Sequence, residues 1–316
     1  MTFRVADDGP IDAVPVQARE AFESARPRLV GIAYRVIGST TDAEDVVQEA
    51  WFRWHRADHP AIRNPSAWLT TAVTRLSLDR LRARKRDEAR YVGPWLPTPI
   101  VERVSNPERS AELAESLTAA FMLMLERLSP DERATFLLVD VFGEPFDEVA
   151  LVMGRSVDAC RQLASRARRK VSADDSLCRE RTRPTDRAGR TVVDRFVVDR
   201  FLVALATGDE QSALACLADD AVMLSDGGPT RRAARRPVIG PRRIHRLVDT
   251  LHRRIPPQWG MEPAIVGGHP GLVVTDGVRP VLTMSFEVAG GRIVRILSVL
   301  NPEKLAGITL GATVIE

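Results

Sequence analysis

From about residue 20 to Val171, apolar residues recur at three- and four-residue intervals almost without interruption, which predicts an all-helical first half. The pattern changes at Val192. One more helical stripe runs to about Ala206, followed by segments punctuated by Gly and Pro and then by β-branched runs at Val281 to Val288 and Ile293 to Leu300. The Gly290-Gly291 pair between those runs is a hairpin signal. Pro94, Pro97, Pro99 and Pro107 forbid a continuous helix across Tyr91 to Pro107, and the charged stretch Ser172 to Arg190 has little apolar content. The expected layout is a loose tail (1–20), a helical module (21–92), a linker (93–110), a second helical module (111–173), a linker (174–190) and an α+β domain (191–316). In the last, helices are expected to pack on a curved antiparallel sheet.

In the first module, Thr41 and Glu44 have capping-box spacing, and Ala43, Val46, Val47, Ala50, Trp51 and Trp54 form the stripe that predicts core. A second stripe holds Asp45, Gln48, Glu49 and Phe52. Periodicity alone reads it as a solvated face, but an aromatic among carboxylates also suits a partner with basic residues. After the helix-start signal Asn64-Pro65, Trp68, Leu69, Ala72, Val73 and Leu76 lead into a basic end at Arg80, Arg82, Arg84, Lys85 and Arg86. Such an end is favoured by the helix dipole, and it can also neutralise phosphates.

In the second module, Leu117, Phe121, Leu125 and Leu128 make one stripe, and Ser129-Pro130-Asp131-Glu132 opens the next helix with cap, first-turn proline and capping-box Glu together. A short helix with Phe146, Val149, Ala150 and Met153, a turn at Gly154-Arg155-Ser156, and a longer helix from Val157 to about Val171 give the helix-turn-helix layout. Val157, Cys160, Leu163, Ala164, Ala167 and Val171 face its core. Asp158, Arg161, Gln162, Ser165, Arg166, Arg168 and Arg169 are left outward, where Arg and Gln can read base edges; a basic helical hairpin without DNA is the alternative.

Composition narrows this only locally. Lys and Arg number 45 against 42 acidic residues, so a nucleic-acid surface must be a cluster. Arg75 to Arg90 carries seven basic and three acidic residues, and Arg161 to Lys170 five basic and none acidic. Cys160, Cys178 and Cys216 lack paired spacing, which points away from disulfides and metal and toward a reducing cytoplasm. No apolar run reaches membrane length and the start has no export pattern, so no membrane association is expected.

Taken together, Asp42-Ala43-Glu44-Asp45-Val46-Val47-Gln48-Glu49-Ala50-Trp51, then Ala67-Trp68-Leu69-Thr70-Thr71-Ala72-Val73, then Phe146 to Val171 with Ala164-Ser165-Arg166-Ala167-Arg168, resemble extracytoplasmic-function sigma factors in their regions two and four. The resemblance implies that Asp45, Gln48, Glu49 and Phe52 bind core RNA polymerase, whose largest and second-largest subunits are the implied partners. It implies a minus-ten promoter surface of Trp68, Arg75, Asp79, Arg82, Arg84, Lys85 and Arg86. Arg75 departs from the Asn of many members. The minus-thirty-five surface would be Ser156, Arg161, Gln162, Ser165, Arg166 and Arg169.

The linker Trp95-Leu96-Pro97-Thr98-Pro99 and the long extension resemble a subgroup with a C-terminal SnoaL-like cone. Leu217 to Val222 leading to Asp226-Gly227-Gly228, and Asn301-Pro302-Glu303-Lys304-Leu305, match two motifs of that extension, with Pro229 where another glycine is common. By this resemblance Asp226, Gly227, Gly228, Asn301, Pro302 and Lys304 form a regulatory interface with the sigma modules. For the two glycines, turn geometry is an equal reading. Asp226, His245, His252, His269 and Asp276 could serve acid-base chemistry, yet their spacing designates no pair, so no catalytic residue, cofactor or metal is assigned. A small ligand in the cone is a further expectation. A ligand-sensing helix-turn-helix regulator, and an enzyme with a DNA-binding appendage, remain open on sequence alone.

Overall fold

The computed structural model describes residues 15–87, 91–102, 119–172 and 187–308. Most of the expected tail, and all but the last residues of the expected second linker, lie outside the described residues. Two compact units result: one takes 15–87 and 124–172, the other 91–102, 119–123 and 187–308. The proline-rich linker therefore belongs with the C-terminal domain and not with either helical module.

In the helical unit, α1 (Val16–Ile37), α2 (Thr40–His55) and α3 (Pro65–Asp87) close over Leu29, Ile32, Ile37, Trp54, Leu69 and Leu81. The α2 stripe is core as its spacing predicts, except that Trp51 is only half-buried, with its ring 4.8 Å from that of Phe22. The cap differs from expectation. Helix α2 starts earlier, because Ser39 rather than Thr41 accepts the first-turn N–H, from Asp42 at 3.2 Å. Glu44 is thereby released from capping and pairs with Arg26 at 2.6 Å.

Helix α4 (Ala119–Glu126) crosses the boundary between the units. Helix α5 (Pro130–Phe136) opens with both halves of the capping box, Glu132 N–H to Ser129 Oγ at 3.3 Å and Ser129 N–H to Glu132 Oε2 at 2.9 Å. Helix α6 (Phe146–Met153) stops at Gly154 in the left-handed conformation, and α7 (Val157–Ser172) follows. Leu138, Val149, Ala150, Val152 and Cys160 form the core of this helix-turn-helix.

The C-terminal unit runs α8 (Arg187–Thr207), α9 (Glu210–Ala215), β2 (Leu217–Asp226), β3 (Val238–Ile239), α10 (Pro241–His252), β4 (Gly260–Val266), β5 (His269–Thr275), β6 (Pro280–Ala289), β7 (Arg292–Val299) and α11 (Pro302–Leu305). A short linker strand, β1 (Val101–Glu102), completes one sheet of order β1-β4-β5-β6-β7-β2-β3. The β6–β7 hairpin turns at Gly290 and Gly291, both at positive φ. The sheet is not wholly antiparallel as expected: β2 and β7 pair in parallel, since the chain between them supplies the long crossover such a pair requires. Phe201, Met223, Met284, Phe286 and Ile296 fill the space between helices and sheet. At one end an open pocket of about 590 Å³ is lined by Leu205, Thr207, Asp249, His252, Trp259 and Met261.

Candidate functional site

On α2 the acidic-aromatic stripe lies outside. Asp45, Gln48 and Phe52 are exposed, and Glu49 pairs with Arg53 one turn on at 2.7 Å. Phe52 is 53% exposed although the same helix buries Trp54 almost fully.

The basic face of α3 is, by contrast, occupied within its own unit. Arg75 donates to the carbonyls of Val152 (2.9 Å) and Leu151 (2.8 Å), in the last turn of α6, where helix carbonyls lack helical partners and the dipole is negative. Arg82 pairs with Asp131 at 2.8 Å, Arg84 with Glu126 at 2.8 Å, and Lys85 with Glu126 at 3.2 Å. Glu126 also takes the fully buried Arg133 at 2.5 Å. Burial works against ionisation of Glu126, but the Arg133 and Arg84 guanidiniums outweigh it and hold the carboxyl down at about 2. Asp131 is likewise held below its ordinary value: burial opposes, and Arg82 and Arg155 prevail. The Trp68 ring packs tilted against that of Trp54, with centroids 5.2 Å apart, Asp79 binds Arg82 at 3.3 Å, and Arg86 is exposed. Four expected minus-ten residues, Arg75, Arg82, Arg84 and Lys85, thus bind residues of the helix-turn-helix half.

Helix α7 is arranged as its spacing predicts. Cys160, Leu163, Ala164 and Ala167 are buried, Val157 and Val171 half-buried, and Arg161, Gln162, Ser165, Arg166 and Arg169 exposed. Ser156 caps the helix by accepting the Ala159 N–H at 3.2 Å. Arg166 and Lys170 reach Glu132 at 3.6 and 2.6 Å, and Arg168 reaches Asp140 at 2.9 Å.

The residues expected to form a regulatory interface converge in the C-terminal unit. Asp226, at the end of β2, is fully buried, and its carboxylate accepts four hydrogen bonds: from the Tyr91 hydroxyl (2.6 Å), the Gly228 N–H (2.9 Å), the Leu96 N–H (2.8 Å) and Lys304 Nζ (2.7 Å). Lys304 also donates to the Leu96 carbonyl and sits 3.9 Å from the centre of the Trp95 ring. Asn301 caps α11 through the Glu303 N–H and donates to the Tyr91 oxygen at 3.1 Å. Burial, then the Asp226 hydrogen bond, push the Tyr91 hydroxyl well above its ordinary value. A Cβ at Gly228 would stand 2.6 Å from Asn301 Cγ, and one at Gly227 2.3 Å from the Arg231 carbonyl, so close packing as well as the turn demands glycine. Pro302 starts α11 as its first residue.

What this cluster grips is the linker. Leu96 is buried with Leu297, Val299 and Leu305, and β1 continues the contact by pairing Val101 with Val266. Tyr91 and Leu96 are the functional residues that sequence reasoning missed; a Tyr and a Trp placed among prolines in an otherwise polar connector were the available signal. Of the candidate acid-base groups, Asp226 is consumed by this clasp and Asp276 accepts the Val278 and Arg279 N–H groups of its own turn. No helix among the described residues is long and apolar enough to cross a membrane.

The family description Sigma-70 region 2 matches residues 21–87, and Sigma-70, region 4 matches residues 118–171. The chain is 38% identical over 298 residues to the ECF RNA polymerase sigma factor SigJ of Mycobacterium tuberculosis, across 90% of this chain and 92% of that protein. It is 33% identical over 205 residues to the probable ECF RNA polymerase sigma factor SigI of the same species, across 64% of this chain and 67% of that one. The crystal structure of M. tuberculosis SigJ superposes with a TM-score of 0.71 at 35% identity, covering 92% of this chain and 99% of that chain. The matches to regions 2 and 4 take in the exposed acidic helix and the helix-turn-helix, the SigJ likeness spans nine tenths of the chain, and the chain belongs to the extracytoplasmic-function RNA polymerase sigma factors.

Proposed function

We propose that this sigma factor docks on core polymerase through Asp45, Gln48, Glu49 and Phe52, and that its C-terminal domain tunes activity by holding the linker between the two promoter-recognition modules. The modules expected at 21–92 and 111–173 are kept in this reading, except that residues 91 and 92 pass from the first module to the regulator, which takes 91–102 together with 191–316. Asp79, Arg86 and the α3 cations serve the minus-ten element, and Ser156, Arg161, Gln162, Ser165, Arg166 and Arg169 the minus-thirty-five element. The domain acts as a built-in regulator and not as a catalyst, in the cytoplasm where the polymerase works.

The observation that carries the proposal is the fully buried Asp226 carboxylate, two of whose hydrogen bonds go to linker residues Tyr91 and Leu96. A linker held by a buried ion pair has fewer conformations open to it, so the spacing of the two modules on a promoter is restricted. In vitro transcription with purified core polymerase tests both parts. Phe52→Ala with Gln48→Ala is expected to abolish transcription while binding to promoter DNA persists; retained transcription rejects the docking assignment. Lys304→Met is expected to change transcript yield with core-polymerase affinity unaltered, and an unchanged yield removes the regulatory role.

A further inference from the structure

One run of side chains in the C-terminal unit makes no hydrogen bond to the Asp226 carboxylate. Between Asp226 and Asp249 lie Arg231, Arg232, Arg235, Arg236, Arg242, Arg243 and Arg246, with no acidic residue and no Phe, Tyr or Trp. Seven of the chain's 45 basic residues and none of its 42 acidic ones occur there. All seven are exposed, and none of their guanidinium groups makes an ion pair or hydrogen bond with a described residue. Most basic residues of α3 and α7 are paired; these are open to a ligand.

Local structure holds them in two groups. Strand β3 pairs Val238 and Ile239 with Met223 and Val222, fixing the chain between Arg236 and Arg242, so the two Cα atoms are at most about 20 Å apart by extended-chain reach. Helix α10 buries Ile244 and Val248 against the sheet and turns Arg242, Arg243 and Arg246 outward, with 242 and 246 about 6 Å apart along the axis. Arg242 and Arg243 stand in the first turn, at the positive end of the helix dipole, with no acidic residue there. This arrangement weakens the helix and is not explained by folding.

We propose that the surface formed by Arg231 to Arg246 is a second DNA-binding site, taking the phosphate backbone of duplex DNA without regard to sequence. Guanidinium forks match phosphate oxygens in two-toothed fashion. A span of up to about 20 Å reaches across a major groove about 12 Å wide. With no Phe, Tyr or Trp among the arginines there is no large ring to stack an unpaired base, so the occupant is duplex and not single-stranded. The site adds affinity wherever the sigma factor meets DNA and is independent of how the protein docks on polymerase.

The test uses the full-length protein and a fluorescent duplex without promoter elements, titrated by anisotropy across a salt series. For Arg235→Gln, Arg236→Gln, Arg242→Gln and Arg243→Gln combined, Kd at low salt is expected to rise tenfold or more. The slope of log Kd against log salt is expected to become shallower by about 0.9 for each phosphate no longer neutralised. Lysine at the same four positions keeps the charge and is expected to retain most of the slope. An unchanged slope in the glutamine variant overturns the proposal, as does an equal loss in the lysine variant, which makes the effect structural. Unchanged DNA binding with weakened binding to purified core polymerase also overturns it and assigns the patch to a protein partner.

Discussion

The two units are each organised around a carboxylate, and the carboxylates work in different surroundings. Glu126 gathers Arg84, Lys85 and Arg133, and with Asp131 it draws the basic face of α3 onto the helix-turn-helix half; every α3 partner in this set is partly exposed. Asp226, itself without exposure, gathers one buried lysine, one half-buried phenol and two backbone N–H groups. In the first assembly only the Arg82–Asp131 pair has a well-exposed partner, and exposed charge pairs are worth little and are weakened by salt or by a competing phosphate. A buried, fully hydrogen-bonded pair is costly to break because the surviving partner is left without solvation. The Arg82 edge of the first assembly is thus its most readily opened part, and the second assembly is suited to persist.

The largest effect expected from breaking this contrast is at the clasp. Asp226→Ala leaves Lys304 charged and buried, and should cost the C-terminal unit about 3–5 kcal/mol; urea denaturation of the full chain followed by Trp fluorescence reads it, and a loss under about 1 kcal/mol would show that the clasp does not stabilise the unit. Glu126→Gln strands Arg133 and should cost the helical unit about 1–3 kcal/mol. Its unfolding in the same titration should move independently of the C-terminal one.

The pH limits should separate the units in opposite directions. Glu126 is depressed in the folded chain, so its contribution is complete above about 4.5, the ordinary carboxyl value, and drains away as pH falls toward about 2. Tyr91 is raised, so its contribution is complete below about 10 and is lost as pH climbs beyond that. Circular dichroism melts across pH should show an acid limb that shrinks in Glu126→Gln and an alkaline limb that shrinks in Tyr91→Phe; exchange of the two limbs would invert the comparison. The smallest effect belongs to Asp131→Asn, which removes the Arg82 and Arg155 pairs at a cost below about 1 kcal/mol. Because the α3 cations gain freedom, low-salt DNA affinity should rise slightly, and a fall would show that Asp131 does not compete with phosphate.

Local signals carried the reading of the helical half. The Ser129 capping box, the α2 stripe and the Gly154 turn each depend on residues within a few positions of one another, where spacing speaks directly. The cap at Ser39 was overlooked because Thr41 offered the better capping-box match; the structure uses the hydroxyl that directly follows the Gly38 stop of α1. The clasp was half legible: its Asp226, Asn301 and Lys304 came from motifs, but the linker side did not. Leu96 meets Asp226 across 130 residues and Tyr91 meets Asn301 across 210, separations over which no periodicity operates. Pairing of the α3 cations was hidden for the same reason, since an arginine suited to phosphate is equally suited to a carboxylate.

Strand β1 and the buried Leu96 bear on how such a protein can be inherited or rebuilt. The C-terminal domain is a discontinuous block whose missing piece, residues 91–102, is encoded between the two modules it serves. A truncation near Arg190 strips the cover from Leu96 and Pro97 and leaves a greasy tether, so a truncated form reports that injury together with the loss of regulation. A graft of residues 191–316 onto another sigma factor brings an empty socket. Exchange between relatives succeeds only when linker and extension travel as a matched pair.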